Sequence, residues 1–275
     1  MQCAYCHQDK KPTREHVIPK SFLNRMNMPE MVTWLDRAPN KFIKNEMVVK
    51  DVCAECNNGV LSYLDDYAVK LIVSYNSKLN VNTQKLLFQY DFGQLSRWLL
   101  KVCFNSARAN NCKDDSKLYS YLIDYIMDSK TPNIRFSIYA SLMELDTNNE
   151  IYYHLTNKVY EVDHFRVCPF RFNETSGYKC TFRIIMINSF AFIIMVFDNY
   201  LRSDEVKLLK HLCQKNYPDF IGLAEKNSVT LKKDKAFWEK SLITHTLLNS
   251  DFFGSITSID FFNQKNRAGN RTTIR

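Results

Sequence analysis

Three motifs organise the N-terminal part of the chain: C-A-Y-C at Cys3–Cys6, R-E-H-V-I-P at Arg14–Pro19 and C-A-E-C-N-N-G at Cys53–Gly59. A Cys-x-x-Cys turn lets two thiolates face one ion, and two such turns complete a tetrahedral zinc site that is closed to solvent. One pair alone would equally fit a redox motif, but two pairs within the first 60 residues favour zinc. The predicted ligands of this structural Zn²⁺ are Cys3, Cys6, Cys53 and Cys56.

The cysteine count does not suggest a disulfide framework. The chain has nine cysteines, an odd number, and no targeting segment follows Met1, so a reducing cytoplasm is the expected location. Ordinary unligated thiols are the simpler alternative to zinc at the two pairs. His7 could replace one thiol as a ligand, but an exposed side chain is the favoured interpretation at this position.

The second motif joins an acid to a histidine. Val17 and Ile18, followed by Pro19, predict a short strand that ends at a turn. Glu15 suits a hard divalent cation, and a neutral His16 can take a proton from water. Neighbouring side chains on a regular strand point to opposite faces, so the strand end has to bend if both are to reach one phosphate. Most Glu-His dipeptides have no function, and the position between the two thiol pairs gives this one its weight.

Taken together, C-x2-C, E-H-V-I-P and C-x2-C-N-N-G resemble the HNH endonucleases of the ββα-metal (His-Me finger) superfamily, in the branch with a four-cysteine zinc site. The resemblance covers about residues 1–75. It implies that Glu15 is the first metal ligand, His16 the general base and Asn57 the second metal ligand, with Asn58 as the alternative. It also implies one catalytic Mg²⁺ or Mn²⁺ ion in addition to the structural zinc.

The middle asparagine of the family, which orients the histidine, has no unique counterpart in the sequence. Asn45 is the candidate, and Asn40 is the alternative. Two further positions depart from the usual pattern, since Glu15 stands where aspartate is commoner and Asn57 stands in place of the final histidine. These substitutions are tolerated variants that would weaken the site without removing it.

The resemblance implies a metal-dependent endonuclease that hydrolyses phosphodiester bonds of nucleic acid, with DNA as the expected substrate. The alternative is a catalytically inert zinc module that binds nucleic acid or a protein partner. A nuclease module beside an unfamiliar domain suggests phage defence or a mobile element, where the partner would be a protein of a larger defence complex.

Hydrophobic periodicity predicts an α+β fold for the chain. An N-terminal ββα-metal finger with the four-cysteine zinc site, with Met47–Val49 in its second strand, is followed by helices and a mainly antiparallel β-sheet. Residues 1–78 form the predicted HNH module, and residues 79–275 a mixed domain that could bind nucleic acid or a partner. Helical spacing occurs at residues 61–75, 91–110, 116–127 and 204–213, and strand patterns at residues 134–142, 151–162 and 181–197.

The charged residues on the first two of these helices are predicted to be mainly solvated. Asp65 and Asp66 could support the metal or position a basic residue, although acids near a helix start are more often solvated. Arg97, Lys101 and Arg108 flank the apolar stripe of the next helix and are predicted to be solvated charges.

The positive charge is concentrated at the C-terminal end. Of a formal net charge of +8, residues 1–59 hold nine Lys/Arg against seven Asp/Glu, and residues 201–275 hold thirteen against eight. Phosphate neutralisation supplies most non-specific affinity for nucleic acid, so the latter region is the predicted nucleic-acid contact, with mild solubilising charge as the alternative. The candidate residues for this nucleic-acid contact are Lys232, Lys233, Lys235, Arg267 and Arg271.

The apolar run at residues 191–197 is far too short for a membrane helix.

Overall fold

The computed structural model describes residues 1–25, 33–36, 41–44, 47–76, 79, 83–128, 130–143, 165–170, 177–187, 189–225 and 227–234. Among these residues, no helix combines the length and apolar character needed to cross a membrane. The elements in chain order are β1 (Pro12–His16), α1 (Lys20–Arg25), β2 (Thr33–Asp36), β3 (Lys41–Lys44), β4 (Val48–Cys53), α2 (Ala54–Cys56), α3 (Ser62–Asn76), β5 (Lys85–Gln89), α4 (Phe92–Ala109), α5 (Lys113–Ser120), α6 (Ile123–Asp128), β6 (Arg135–Met143), β7 (Phe165–Phe170), β8 (Cys180–Ile187), β9 (Phe190–Phe197), α7 (Ser203–Asn216), β10 (Ile221–Gly222) and β11 (Ser228–Asp234).

Residues 1–25 and 47–76, which we call the finger, contain two paired strands followed by a helix. β1 runs antiparallel to β4, with His16 opposite Val48. The chain then passes through α2 and a wide helical turn over residues 57–61 into α3, and the backbone leaves helical geometry at Gly59. β2 and β3 pair with each other in the segment between β1 and β4.

The long helix α4 connects the finger to the rest of the chain. The Asp91 carboxylate accepts a hydrogen bond from the backbone N–H of Gln94 at 2.8 Å and so caps the helix start. Every residue from Leu95 to Ala107 is buried, which is typical of a helix enclosed on all sides. The finger packs on one side of α4 and the sheet on another.

The described strands outside the finger and the β2–β3 pair form a seven-stranded sheet, in the order β5-β11-β6-β9-β8-β7 with β10 also paired to β6. Its pairs are antiparallel except for β11 and β6, which run parallel. The prediction of a mixed α and β fold with a mainly antiparallel sheet is therefore confirmed.

Both faces of the sheet are covered. All eight residues of β9 are buried, and successive side chains point to opposite faces of a strand. Phe190, Phe192, Ile194 and Val196 accordingly join one core with α4, while the residues between them join a second core under α7. The first core runs without a break from Cys3 in the finger to Leu231 in β11, across the boundary predicted at residue 78.

Several local predictions need correction. The first strand ends at His16 rather than including Val17 and Ile18, although the backbone N–H of Val17 still donates to the carbonyl of Met47 at 2.9 Å. The helix predicted over residues 116–127 is interrupted after Ser120, giving α5 and α6. The sequence patterns did not predict α1, β2, β3, β5, β7, β10 or β11, and the strand pattern at residues 151–162 lies outside the described residues.

Candidate functional site

The four predicted zinc ligands come together in the finger. The sulfur atoms of Cys3, Cys6, Cys53 and Cys56 all lie within 4.8 Å of one another. The sulfurs of Cys6 and Cys53 are 3.8 Å apart, which is the separation of about 3.8 Å that a regular tetrahedron with Zn–S bonds of about 2.3 Å requires. The donor set and its spacing therefore fit one zinc ion.

The local backbone explains how the first pair is positioned. The N–H of His7 donates to the carbonyl of Cys3 at 3.0 Å, and His7 takes a positive φ of 56°, a conformation for which histidine is among the more tolerant residues. The backbone N–H of Cys53 donates to the Cys3 sulfur at 3.3 Å, a contact that orients and stabilises a thiolate. His7 itself is exposed, as predicted.

The thiols differ in how readily they ionise. Burial raises the pKa of Cys3, but hydrogen bonds from the backbone of Cys6, Cys53 and Tyr5 outweigh it and bring the pKa down to about 6. For Cys56, burial and the neighbouring cysteines both raise the pKa. The fold alone therefore favours the thiolate of Cys3. Ionisation of all four neighbouring thiols would require a cation between them, because the negative charges repel one another.

Glu15 and His16 lie at the end of β1 and point to opposite faces. Glu15 pairs with Val49 and is 4% exposed, whereas His16 pairs with Val48 and is half-buried. The alternation of a strand produces this difference. The register shift in β1 lies between Thr13 and Glu15, before the pair, so it does not bring the two side chains to one face of the strand.

Asn57, the first residue after the second thiol pair, contacts β1 directly. Its side-chain nitrogen donates to the hydroxyl of Thr13 and to the carbonyl of Arg14, both at 2.9 Å. Asn57 is thus held within two residues of Glu15 along β1. Because the amide nitrogen makes these bonds, the amide oxygen points away from them and can act as a ligand. The alternative ligand, Asn58, is exposed.

The carboxylate of Glu15 lies against a buried lysine from α4. Its Oε1 is 2.6 Å from Nζ of Lys101, whose side chain is completely buried. The same Nζ lies 2.6 and 2.7 Å from the two carboxylate oxygens of Asp65. Asp65 Oδ1 also accepts from the indole N–H of Trp98 at 3.0 Å. One ammonium group therefore serves two carboxylates from two elements of the finger.

Burial and charge set the ionisation of this cluster. Burial raises the pKa of Asp65 to about 6, although the Lys101 charge opposes the change. Burial lowers the pKa of Lys101, but the attraction of Asp65 and Glu15 outweighs it, so the pKa is raised overall. The two carboxylates therefore favour the charged form of Lys101.

A second set of hydrogen bonds extends the cluster along α4. Asn105 donates to Glu15 Oε1 at 3.3 Å, and its own oxygen accepts from the Tyr5 hydroxyl and from Arg108, both at 2.6 Å. Arg108 also pairs with Asp51 at 3.2 Å and lies over the Phe104 ring. The residues of α4 that contact the finger are spaced so that they form one face of the helix: Trp98, Lys101, Asn105 and Arg108.

Glu15 and Asn57 supply a carboxylate and an amide side chain to the region around β1. Within the described residues, the polar contacts of Glu15 all involve Oε1. Carboxylate and amide oxygens are the ligands that Mg²⁺ and Mn²⁺ prefer. Oε2 of Glu15 and Oδ1 of Asn57 would hold such an ion.

The remaining predicted residues are not brought to this site. Lys232 and Lys233 lie in β11, inside the sheet, where Lys232 is exposed and directly opposite Lys85. Asn40, Asn45, Lys235, Arg267 and Arg271 lie outside the described residues.

Sequence reasoning missed the contribution of α4. Lys101 was predicted to be solvated but is completely buried, because two carboxylates surround its charge. The possibility that Asp65 positions a basic residue is confirmed. No local pattern signalled this burial, because a polar face on an otherwise apolar helix normally faces solvent.

Comparison of the chain with protein-family models, with curated proteins and with solved structures gave no match. The likeness to HNH endonucleases therefore rests on the motifs of the finger.

Proposed function

We propose that the protein is a metal-dependent endonuclease that hydrolyses phosphodiester bonds of nucleic acid, with DNA as the expected substrate. The observation that supports this proposal is the arrangement around β1. The Glu15–His16 pair ends β1, and the Asn57 side chain donates hydrogen bonds to the same strand. The four clustered thiols come from the turn before β1, from the end of β4 and from α2.

His16 is the general base in this proposal. As a neutral imidazole it would accept a proton from the attacking water, and its side chain is half-buried at the end of β1. Asn57 is held by Thr13 and Arg14, which fixes the direction of its side-chain oxygen. By resemblance to the HNH family, the products carry 5′-phosphate ends.

The divalent ion, when bound, would supply electrostatic stabilisation of the leaving oxygen and of the charge on the phosphate. Glu15 and Asn57 would hold it. The zinc at the four cysteines has a separate, structural role, because a site closed by four thiolates leaves no position for substrate.

The experiment that tests the proposal compares two glutamates of the finger. Plasmid DNA, single-stranded DNA and RNA are incubated with Mg²⁺ or Mn²⁺ and the wild-type chain, Glu15→Gln or Glu55→Gln. Glu55 is the matched control because it is exposed and pairs with Lys10 at the surface. We expect cleavage by wild type and by Glu55→Gln, and a loss of at least about 100-fold in Glu15→Gln. Equal cleavage by all three, or none by wild type at full zinc content, would refute the proposal.

The burial of Glu15 against Lys101 favours a second candidate function. A carboxylate that is held by a buried ammonium ion resembles a structural ion pair, and the finger would then be an inert zinc module that binds nucleic acid or protein. Nucleic-acid binding by wild type without cleavage, unchanged in Glu15→Gln, is the result that this candidate predicts.

A further inference from the structure

Two carboxylates of the finger share a single buried cation. Glu15 and Asp65 each contact Lys101 Nζ at 2.6 Å, and the Lys101 side chain is completely buried. The formal charge of the three groups is −1 when both acids are ionised. A buried net charge is costly unless something compensates it, so this excess negative charge needs a physical explanation.

The two carboxylates do not use the lysine equally. Asp65 contacts Nζ through both oxygens, at 2.6 and 2.7 Å, and also accepts from the Trp98 indole. Glu15 contacts Nζ through Oε1 only, among the described contacts. Lys101 therefore orients Glu15 through one oxygen while most of its hydrogen-bonding capacity goes to Asp65.

This division matters for metal binding. A glutamate in a one-to-one pair with a buried lysine is neutral as a unit, and a neutral unit attracts a divalent cation weakly. A second carboxylate on the same lysine restores one negative charge to the cluster. That charge belongs to a cluster that includes Glu15, whose Oε2 has no partner among the described residues.

We propose that Asp65 is a positioning residue of the divalent-metal site, which shares Lys101 with Glu15 so that Glu15 is oriented without being neutralised. The inference rests on the proposed function and explains how Glu15, its first metal ligand, can be oriented and still attract a cation. It also makes the site composite, because Lys101 belongs to α4 and not to the finger.

The test measures Mn²⁺ affinity of the full zinc-loaded chain at pH 8 by isothermal titration, without nucleic acid. Asp65→Asn keeps the shape of the side chain and an oxygen for the Trp98 N–H, but removes the charge. Asp66→Asn is the matched control, because Asp66 is the adjacent acid on α3 and is exposed. We expect Asp65→Asn to weaken Mn²⁺ binding by at least about tenfold, and Asp66→Asn to leave it within about twofold. Zinc content and near-ultraviolet circular dichroism confirm that the variants are folded.

A third variant separates charge from packing. Asp65→Glu retains the charge but changes the length of the side chain, so a purely structural role predicts that it is more harmful than the isosteric asparagine. The positioning role predicts the reverse, with Mn²⁺ affinity recovered to within about threefold of wild type. Because the two variants perturb packing differently, a folding defect in one does not remove the test.

The outcomes distinguish this inference from the proposed function. Mn²⁺ bound at Glu15 is identified by its loss in Glu15→Gln. If wild type binds no Mn²⁺ there, both the proposed function and the role of Asp65 are overturned. If wild type binds Mn²⁺ and cleaves, but Asp65→Asn binds as tightly as Asp66→Asn, the role of Asp65 alone is wrong.

Discussion

The finger and the sheet lie on either side of α4 and are stabilised by different forces. In the sheet, all eight residues of β9 are buried, and its side chains supply apolar surface to two cores. The finger has two short strands and a helix, four clustered thiols and a buried ion cluster in its interface with α4. Hydrophobic burial contributes to both regions, and the finger adds to it a four-thiol cluster that could hold a metal ion and a set of buried paired charges.

Among the described residues, one completely buried cation lies on each side of α4. On the finger side, Lys101 contacts two carboxylates. On the sheet side, Arg183 of β8 pairs with Asp115 at 2.8 Å and donates to the Ser106 hydroxyl at 3.1 Å. Arg183 has one carboxylate partner, and its Nε is without a hydrogen bond within the described part of the chain. Of these two clusters, only the one around Lys101, beside the finger, has more negative than positive formal charge.

The comparison shows that the polar and ionic groups of the two regions are arranged differently. A small unit buries less apolar surface than a large one, so a metal ion at the four thiols and the ion cluster beside α4 would add to the stability of the finger. On its other side, α4 packs against the sheet in the first core. Four changes of decreasing size test this comparison.

The largest effect is expected at the thiol cluster. Cys53→Ala should abolish zinc binding and unfold the finger, because structural zinc contributes about 10 kcal/mol to folding in small zinc domains. Cys213→Ala, at a completely buried thiol under the sheet, should retain zinc and lose about 1 kcal/mol. Zinc content by mass spectrometry and thermal unfolding measure both. Equal zinc content and equal melting of the two variants would show that the cluster holds no structural metal.

The next effect is expected at Lys101. Lys101→Met leaves Glu15 and Asp65 buried without their shared cation and should lower the free energy of unfolding by about 3–5 kcal/mol. The exposed Lys70 provides the control, and Lys70→Met should change it by less than about 0.5 kcal/mol. Urea unfolding measures both values. A Lys101 variant as stable as the control would mean that the ion cluster does not stabilise the finger.

A smaller effect is expected at Arg183, on the sheet side. Arg183→Met removes one buried ion pair and one hydrogen bond, but it also removes the unpaired Nε, so we expect a loss of about 2 kcal/mol. Mn²⁺ affinity should stay unchanged, in contrast to changes at Asp65. Urea unfolding and Mn²⁺ titration of the same preparation give the two readouts. A weakened Mn²⁺ affinity would contradict the assignment of the two sides.

The smallest effect is expected at Tyr5. Tyr5→Phe removes the hydroxyl that donates to Asn105, but Arg108 still donates to the same oxygen, so no acceptor is left unpaired. The expected loss is about 1 kcal/mol. Tyr121→Phe, at a side chain that is 46% exposed, should cost nothing measurable in the same unfolding experiment. A loss above about 3 kcal/mol would show that Tyr5 has a larger role in orienting Glu15.

Local patterns were sufficient to predict the longer helices and strands and the thiol cluster. Cys-x-x-Cys spacing is a property of one turn, and the four sulfurs do converge. Helical periodicity identified α3, α4 and α7, and the two apolar arms around residue 189 form the β8–β9 hairpin. The helices and the hairpin depend on residues that are close in sequence, and the thiol cluster joins two local turns whose Cys6 and Cys53 are 47 residues apart.

Features that depend on distant partners could not be predicted. Lys101 is buried because Asp65, 36 residues earlier, lies beside it, and no local pattern encodes that contact. β11 lies between β5 and β6, although its Lys232–Lys233 pair gives it the composition of a surface segment. Because β5 and β6 lie far from β11 in the chain, this pairing depends on the assembled sheet and not on the local sequence of β11.

Cleavage by a histidine variant tests the central claim, that the finger carries the chemistry, most directly. Plasmid cleavage with Mn²⁺ is compared for wild type, His16→Ala and His211→Ala, at equal zinc content. His211 is the control because it is exposed on α7, beyond the sheet. We predict that wild type and His211→Ala cleave at the same rate, and that His16→Ala loses at least about 100-fold. Cleavage by His16→Ala at the wild-type rate would contradict the account.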